Sequence, residues 1–138
     1  MLLNNFGLKF QILPANIIEY IPENIKNYSS FAKKLAYHKA LEISFKKKGV
    51  VVGADTIVVV KGKVLGKPGN PAQAKKMLGL LSGKSHKVYT GISIINNLTN
   101  QAYSACEITK VKFRKLGRDE INFYVKNRRQ QSRIFSRP

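Results

Sequence analysis

The stretch that decides the fold is Val50–Val60, VVVGADTIVVV, which is β-branched almost throughout. β-Branched side chains favour the extended backbone of a strand. Because apolar residues occupy both alternating positions, the pattern predicts a strand that is buried on both faces. We therefore expect Val50–Val60 to lie inside the protein, with other elements packed against each side.

Upstream of this strand, the sequence predicts one further strand and one helix. Residues Leu8–Leu13, LKFQIL, alternate apolar and polar side chains, as a half-buried strand does. Ser29 or Ser30 is suited to cap a helix, and apolar residues near helical spacing continue to about Lys48. Gly49 then ends the helix.

Downstream, turn residues separate segments that predict more strands and helices. Lys61–Lys63 turns the chain back into a short strand that ends at Gly66. Asn70 and Pro71 suit the cap and first position of a helix, Ala72–Leu81. Two strands and a final helix are expected to follow, at Lys87–Ile95, Ala102–Phe113 and Glu120–Lys126. The predicted fold class is α/β in one domain.

Length and composition exclude several classes of protein. With 138 residues and 43% hydrophobic content, the chain suffices for one compact domain. No apolar run reaches the ~18 residues of a membrane-spanning helix, and the first residues lack the features of a signal peptide. One cysteine, Cys106, and two histidines exclude an internal disulfide and a thiolate zinc site. We therefore expect a cytoplasmic protein with no membrane partner.

The net charge of +18 admits two interpretations. The functional one is a polyanionic partner such as nucleic acid, nucleotide or an acidic membrane. The other is a codon bias toward lysine, asparagine and isoleucine. The lysines occur singly or in short runs, with no stripe of alternating aromatic and basic residues that would stack bases. Nucleic-acid binding is therefore kept as the least favoured function.

Asp55 is the most informative residue, because a carboxylate inside an apolar strand costs several kcal/mol unless it meets a cation or hydrogen-bond donors. The functional interpretation is a metal-binding or general-base carboxylate at the mouth of a cleft. The structural alternative is a carboxylate that caps a nearby backbone N–H. Gly53 would let the backbone kink or let a ligand approach.

Other candidate residues give weaker signals. Lys67 follows on a turn that Pro68 stiffens, so its ammonium could meet phosphate as a fixed charge. Lys39 lies in the first predicted helix, and most lysines of the chain must simply be solvated. Glu19, in NIIEYI, is either a second metal ligand or a charge at a strand edge.

The segment Ser82–His86, SGKSH, is a loop that could hold phosphate through backbone N–H groups. Loops rich in Gly and Ser are nevertheless common. His38 and His86 are interpreted as structural histidines rather than catalysts. The sequence has no triad of nucleophile, histidine and acid, and no Walker-type or dinucleotide loop.

Five motifs, in the order GADT, GKP, LSGKSHKVYTG, ITKVKF and DEINFYV, resemble the Maf family of nucleoside triphosphate pyrophosphatases. The resemblance covers residues 1–125. It implies an α/β domain with a mixed sheet in two lobes around a nucleotide cleft. It also implies hydrolysis of a nucleotide between its α and β phosphates, which yields the monophosphate and pyrophosphate with the help of Mg²⁺ or Mn²⁺.

The resemblance also implies roles for individual residues. Asp55 matches the family's catalytic carboxylate, which accepts a proton from water and lies beside the metal. Glu19 matches a second acid, which makes it a metal ligand. Lys39 and Lys67 match lysines that neutralise the triphosphate. Thr56 matches the position that selects the base in the subgroup that prefers dTTP and UTP.

Measured against the family's pattern, the chain departs at both ends. It begins inside the first helix, so we expect the first strand and the Ser-x-Ser-Pro-Arg-Arg phosphate loop to be missing, and the activity to be reduced. From Lys126 to Pro138 one lysine accompanies four arginines, and this basic tail is either the product of a frameshift or a true divergent segment.

Two functions therefore follow from the resemblance. The first is a pyrophosphatase for dTTP or UTP, with a homodimer as a possible assembly. The alternative is a remnant without activity, or a nucleotide-binding module without turnover.

Overall fold

The computed structural model describes residues 7–15 and 21–127. This part of the chain contains three helices and a four-stranded sheet, which confirms the predicted α/β class. In chain order the elements are α1 (Tyr28–Ser44), β1 (Val50–Val60), β2 (Lys63–Leu65), α2 (Pro71–Leu81), β3 (Ser85–Asn96), β4 (Gln101–Lys112) and α3 (Arg118–Lys126).

The strands lie in the order β2-β1-β3-β4, and every neighbouring pair is antiparallel. A two-residue turn joins β1 to β2, with φ of 49° at Lys61 and 74° at Gly62. Positive φ at both residues gives the turn a twist that matches the right-handed twist of the strands. The predicted turn at Lys61–Lys63 is therefore confirmed.

The two faces of the sheet carry different helices. On one face α1 packs against the odd-numbered residues of β1, including Ile57 and Val59. The even-numbered Val58 and Val60 point to the other face, where they meet Leu81 of α2. Helix α3 packs on α2 rather than on α1. The sheet therefore has one core on each side at the end where β1 meets β2.

The helix boundaries differ from the prediction by a few residues. Asn27 caps α1, since its side chain accepts a hydrogen bond from the Ser30 amide at 3.0 Å, so neither Ser29 nor Ser30 is the cap. Helix α1 ends at Ser44 and a turn follows, whereas the prediction continued it to about Lys48. Asn70 caps α2 as predicted.

Two predictions about strands are wrong. Residues Leu8–Leu13 have no strand conformation and the side chain of Ile12 is 73% exposed, because alternation alone supplies no hydrogen-bonding partner. Strand β1 is buried on both faces only at Ile57–Val60. Val50 and Val52 are exposed. In the described residues, the core between the sheet and α2 covers only the other end of β1.

Several sequence predictions lie outside the described residues. They concern Glu19, the first six residues and the part of the basic tail from residue 128 onward.

Candidate active site

Helix α1 lies unusually close to the sheet. Its buried stripe consists of Ala32, Ala36 and Ala40, which are spaced four residues apart and so share one face of the helix. Opposite this stripe the sheet presents Gly53 of β1 and Gly91 of β3. Small residues on both sides allow the backbone of the helix to rest directly on the backbone of the sheet.

The space at each glycine shows how tight this contact is. A methyl group at Gly53 would overlap the carbonyl oxygen of Ala36 and lie 2.8 Å from the amide nitrogen of Ala40. One at Gly91 would overlap the carbonyl oxygen of Ala32. The expectation that Gly53 provides a kink or room for a ligand is therefore wrong, because the room is filled by α1.

This contact brings Lys39 to Asp55. Lys39 precedes Ala40 on α1, and Asp55 follows Gly53 by two residues on the same face of β1. The Lys39 Nζ donates a hydrogen bond to Asp55 Oδ1 at 2.8 Å. The side chains are 24% and 12% exposed. Asp55 was expected to meet a cation or hydrogen-bond donors, and the Lys39 ammonium is both.

Thr56 lies next to Asp55 but faces the other side of the sheet. Its hydroxyl is 3.3 Å from that of Thr90, the residue opposite it on β3. Adjacent residues of a strand point to opposite faces. A ligand that touches both Asp55 and Thr56 must therefore lie at the edge of the sheet.

Lys67 is exposed and lies beyond the end of β2. Strand β2 pairs with β1 only from Lys63 to Leu65, and Leu65 is opposite Val58. The pairing ends there, two residues before Lys67, and no contact joins Lys67 to Asp55 or Thr56 within the described residues.

The segment Ser82–His86 does not form a phosphate-binding loop. The Gly83 amide donates to the Arg114 carbonyl at 3.1 Å, and the Lys84 amide donates to the Leu81 carbonyl at 3.1 Å. The Ser82 hydroxyl accepts from the Leu116 amide at 2.8 Å. These polar groups join the segment to the region before α3, so the predicted loop is a structural one.

The two histidines differ in environment. His86 is buried and stacks edge-on against Phe113, with ring centroids 5.1 Å apart. Burial lowers the pKa of His86 below its usual value. His38 is exposed on α1. The interpretation of His86 as a structural residue agrees with this packing.

The described residues offer one carboxylate at the site, Asp55. Within residues 7–15 and 21–127 no three histidine, cysteine, aspartate or glutamate side chains are grouped as metal ligands. Mg²⁺ is nevertheless commonly held by one or two carboxylates together with water and the substrate's phosphates. The Asp55 carboxylate already binds one positive group, the Lys39 ammonium, so its charge suits a positive ion.

Comparison with known proteins decides the family. A family model described as Maf-like protein matches residues 1–133. The chain belongs to the Maf family. It is 42% identical over 125 residues to the dTTP/UTP pyrophosphatase of Desulforamulus reducens, and the aligned part is 90% of this chain and 65% of that protein.

Two other relatives of this Maf chain carry the same name. One, from Thermoanaerobacter sp. strain X514, is 40% identical over 126 residues, which cover 90% of this chain and 65% of the relative. Another, from Thermococcus kodakarensis, is 40% identical over 127 residues, which cover 91% and 65%. The Maf chain thus spans about 65% of the length of these curated relatives.

No helix within the described residues of the Maf chain is long and apolar enough to cross a membrane.

Sequence reasoning missed the residues that position the site. Gly91 and the three alanines of α1 were not singled out, although they fix how closely the helix approaches Asp55. Their signal was available, since alanines recur every fourth residue in α1 and the strands β1 and β3 each contain one glycine. Such spacing indicates a close contact between a helix and a sheet.

Proposed function

We propose that the chain hydrolyses a nucleoside triphosphate, dTTP or UTP, to the nucleoside monophosphate and pyrophosphate. The observation that carries the proposal is the contact between Lys39 and Asp55 at 2.8 Å, which places an acid and a cation together in a partly buried position. Membership of the Maf family and the printed names of the relatives support the choice of substrate.

The residues of the chain divide the chemistry among them. Asp55 accepts a proton from the water whose oxygen attacks the α-phosphorus. The bond from that phosphorus to the oxygen that bridges it to the β-phosphate then breaks, and pyrophosphate leaves. Lys39 and Lys67 neutralise charge on the phosphates, which is the electrostatic stabilisation that phosphoryl transfer most needs. Thr56 contributes to the selection of the base.

A divalent cation, Mg²⁺ or Mn²⁺, is part of the proposal. Asp55 would hold it, with Glu19 as a second ligand from outside the described residues. When bound, such a cation polarises phosphoryl oxygens and offsets their negative charge. A homodimer and a cytoplasmic location stay predictions from the sequence.

A second candidate is a nucleotide-binding module without turnover. The observation that favours it is that the Asp55 carboxylate already accepts a hydrogen bond from the Lys39 ammonium, and a carboxylate held in an ion pair is a weaker base. Both candidates require Asp55 and Lys39 to face a nucleotide, and they differ only in whether pyrophosphate is released.

The test is the release of pyrophosphate from dTTP, UTP and GTP by the purified chain with Mn²⁺. We expect release from dTTP and UTP, and a loss of about 10²–10⁴-fold with Asp55→Asn, the range attributed to a general base. Asp119→Asn, at the exposed start of α3, removes the same charge away from the site and should leave the rate unchanged. Binding of dTTP without release of pyrophosphate would favour the second candidate.

A further inference from the structure

The ion pair between Lys39 and Asp55 has a consequence for binding of the metal. Asp55 is the one acid of the described residues at this position, and its Oδ1 accepts a hydrogen bond from the Lys39 ammonium at 2.8 Å. Both side chains are mostly shielded from solvent, at 24% and 12% exposure. The interaction is therefore screened less than that of a surface pair.

A divalent cation on Asp55 would bind the same carboxylate as this ammonium. Two positive charges so close in a partly buried position repel each other strongly. The ammonium and the cation would share the charge of one carboxylate, whose Oδ1 already accepts a hydrogen bond from Lys39. Each should therefore weaken the binding of the other.

We propose that Lys39 is an internal competitor of the divalent cation. Its ammonium holds Asp55 when no nucleotide is bound, and it leaves Asp55 when the cation and the nucleotide arrive. The triphosphate supplies the new partner for the ammonium, so the same side chain that competes with the free cation then neutralises the substrate. This inference rests on the proposed function, because it names the nucleotide as the group that draws Lys39 away.

The structure indicates which part moves. The backbone of α1 rests on Gly53 and Gly91 without side chains between them, so the helix has no room to approach the sheet further. The exchange therefore takes place in the Lys39 side chain, whose flexible stem places its ammonium in more than one position. The free cation should bind weakly, and its affinity should rise when the lysine charge is removed.

The experiment is a titration of the full chain with Mn²⁺ in the absence of nucleotide, with free Mn²⁺ measured by electron paramagnetic resonance. We expect Lys39→Met to bind Mn²⁺ at least tenfold more tightly than the unaltered chain. Lys39→Arg keeps the charge and should bind as weakly as the unaltered chain. Lys34→Met removes an equal charge from an exposed position of the same helix and should also leave the affinity unchanged.

Two further variants keep the test informative if Lys39→Met fails to fold. Lys39→Gln keeps a hydrogen-bond donor for Asp55 without the charge, and it should show the same gain in affinity. Adding Asp55→Asn to Lys39→Met should abolish the gain. Circular dichroism identifies any variant that has unfolded.

Equal Mn²⁺ affinity in Lys39→Met, Lys39→Gln and the unaltered chain would overturn the inference, as would a gain that persists with Asp55→Asn. The release of pyrophosphate from dTTP separates this result from the proposed function. If the chain releases pyrophosphate but Lys39→Met does not bind Mn²⁺ more tightly, the proposed function stands and the competition by Lys39 is disproved. If Lys39→Met binds Mn²⁺ more tightly but the chain releases no pyrophosphate, competition at Asp55 is supported and the proposed function is disproved.

Discussion

Gly53 and Gly91 determine how deeply α1 sits on the sheet. At each position the space for a β-carbon is already taken by backbone atoms of the helix. The same seating carries Lys39 to within 2.8 Å of Asp55. A residue with no side chain thus controls the position of two residues that do the chemistry.

Gly53→Ala should destabilise the protein. The new methyl group overlaps the Ala36 carbonyl, so α1 must shift away from the sheet, and we expect the free energy of unfolding to fall by about 2 kcal/mol or more. Chemical denaturation measures the change. Gly79→Ala is the control, because a β-carbon there meets nothing within 4 Å. Gly79 lies in the last turn of α2, so replacing it should leave stability unchanged or raise it by up to about 1 kcal/mol. Equal stability of Gly53→Ala and the unaltered chain would contradict the described seating.

At the scale of elements, His86 of β3 packs next to the core that lies between the sheet and α2. Its ring packs against Phe113, which lies just after β4 and also contacts the cluster between α2 and α3. Within the described residues the buried His86 Nδ1 has no hydrogen-bond partner. A charged imidazole is therefore poorly accommodated between the sheet and these helices.

Stability should fall as the pH is lowered from 7.5 to 5.5. Burial holds the pKa of His86 below the 6.5 of an unfolded histidine, so the unfolded chain binds the proton more readily. This contribution to stability is complete above about pH 6.5 and is lost as the pH falls toward the folded pKa. Thermal melts measure it. His86→Phe should reduce the dependence on pH, and His38→Phe, at an exposed position, should retain it. A melting temperature independent of pH in the unaltered chain would contradict the assignment.

Elements whose signal is local could be predicted from sequence. The turn at Lys61–Lys63 and the helix that follows Asn70 are specified by residues within a few positions of each other, and both were predicted. Leu8–Leu13 was predicted as a strand and is not one, because a strand needs a partner that alternation does not provide. The burial of β1 was overestimated for a related reason. Its second face is covered only where α2 packs, near Val58 and Val60, and a local pattern does not show which residues a helix covers.

The candidate site follows the same division. The sequence indicated that Asp55 requires a cation or hydrogen-bond donors, because burying an unpaired charge has a known cost. It did not indicate that Lys39 is that cation, since the pairing depends on the seating of α1 on two glycines. Contacts between residues distant in the chain are invisible to a local pattern.

At the scale of the whole molecule, charge repulsion acts against the fold. The chain has 25 lysine and arginine residues and seven acidic residues. Lys87 and Lys110 are directly opposite each other on β3 and β4. The side-chain contact of Lys61 with Lys84, and then its charge, lower the pKa of Lys84. Folding therefore brings like charges together, which destabilises the compact state.

Added salt should stabilise the protein, because it screens this repulsion. We expect the melting temperature to rise by about 3 °C or more between ~0.05 and ~0.5 M NaCl. Replacing Lys87 and Lys110 with Gln should raise the melting temperature at low salt and reduce the response to salt. The same replacement at Lys75 and Lys76, which are exposed on α2, removes equal charge with a smaller effect. A melting temperature that falls with NaCl would show that another effect dominates.

The close seating of α1 also determines where the site can adapt to ligands of different shape. Two backbones in direct contact cannot slide past each other without a steric clash, so the main chains at Lys39 and Asp55 keep a fixed separation. Rotation about the bonds of the lysine side chain is then the degree of freedom that remains. The short Asp55 side chain is held in place by its strand, whereas the long Lys39 side chain can move. Adaptation to a ligand therefore takes place at the lysine.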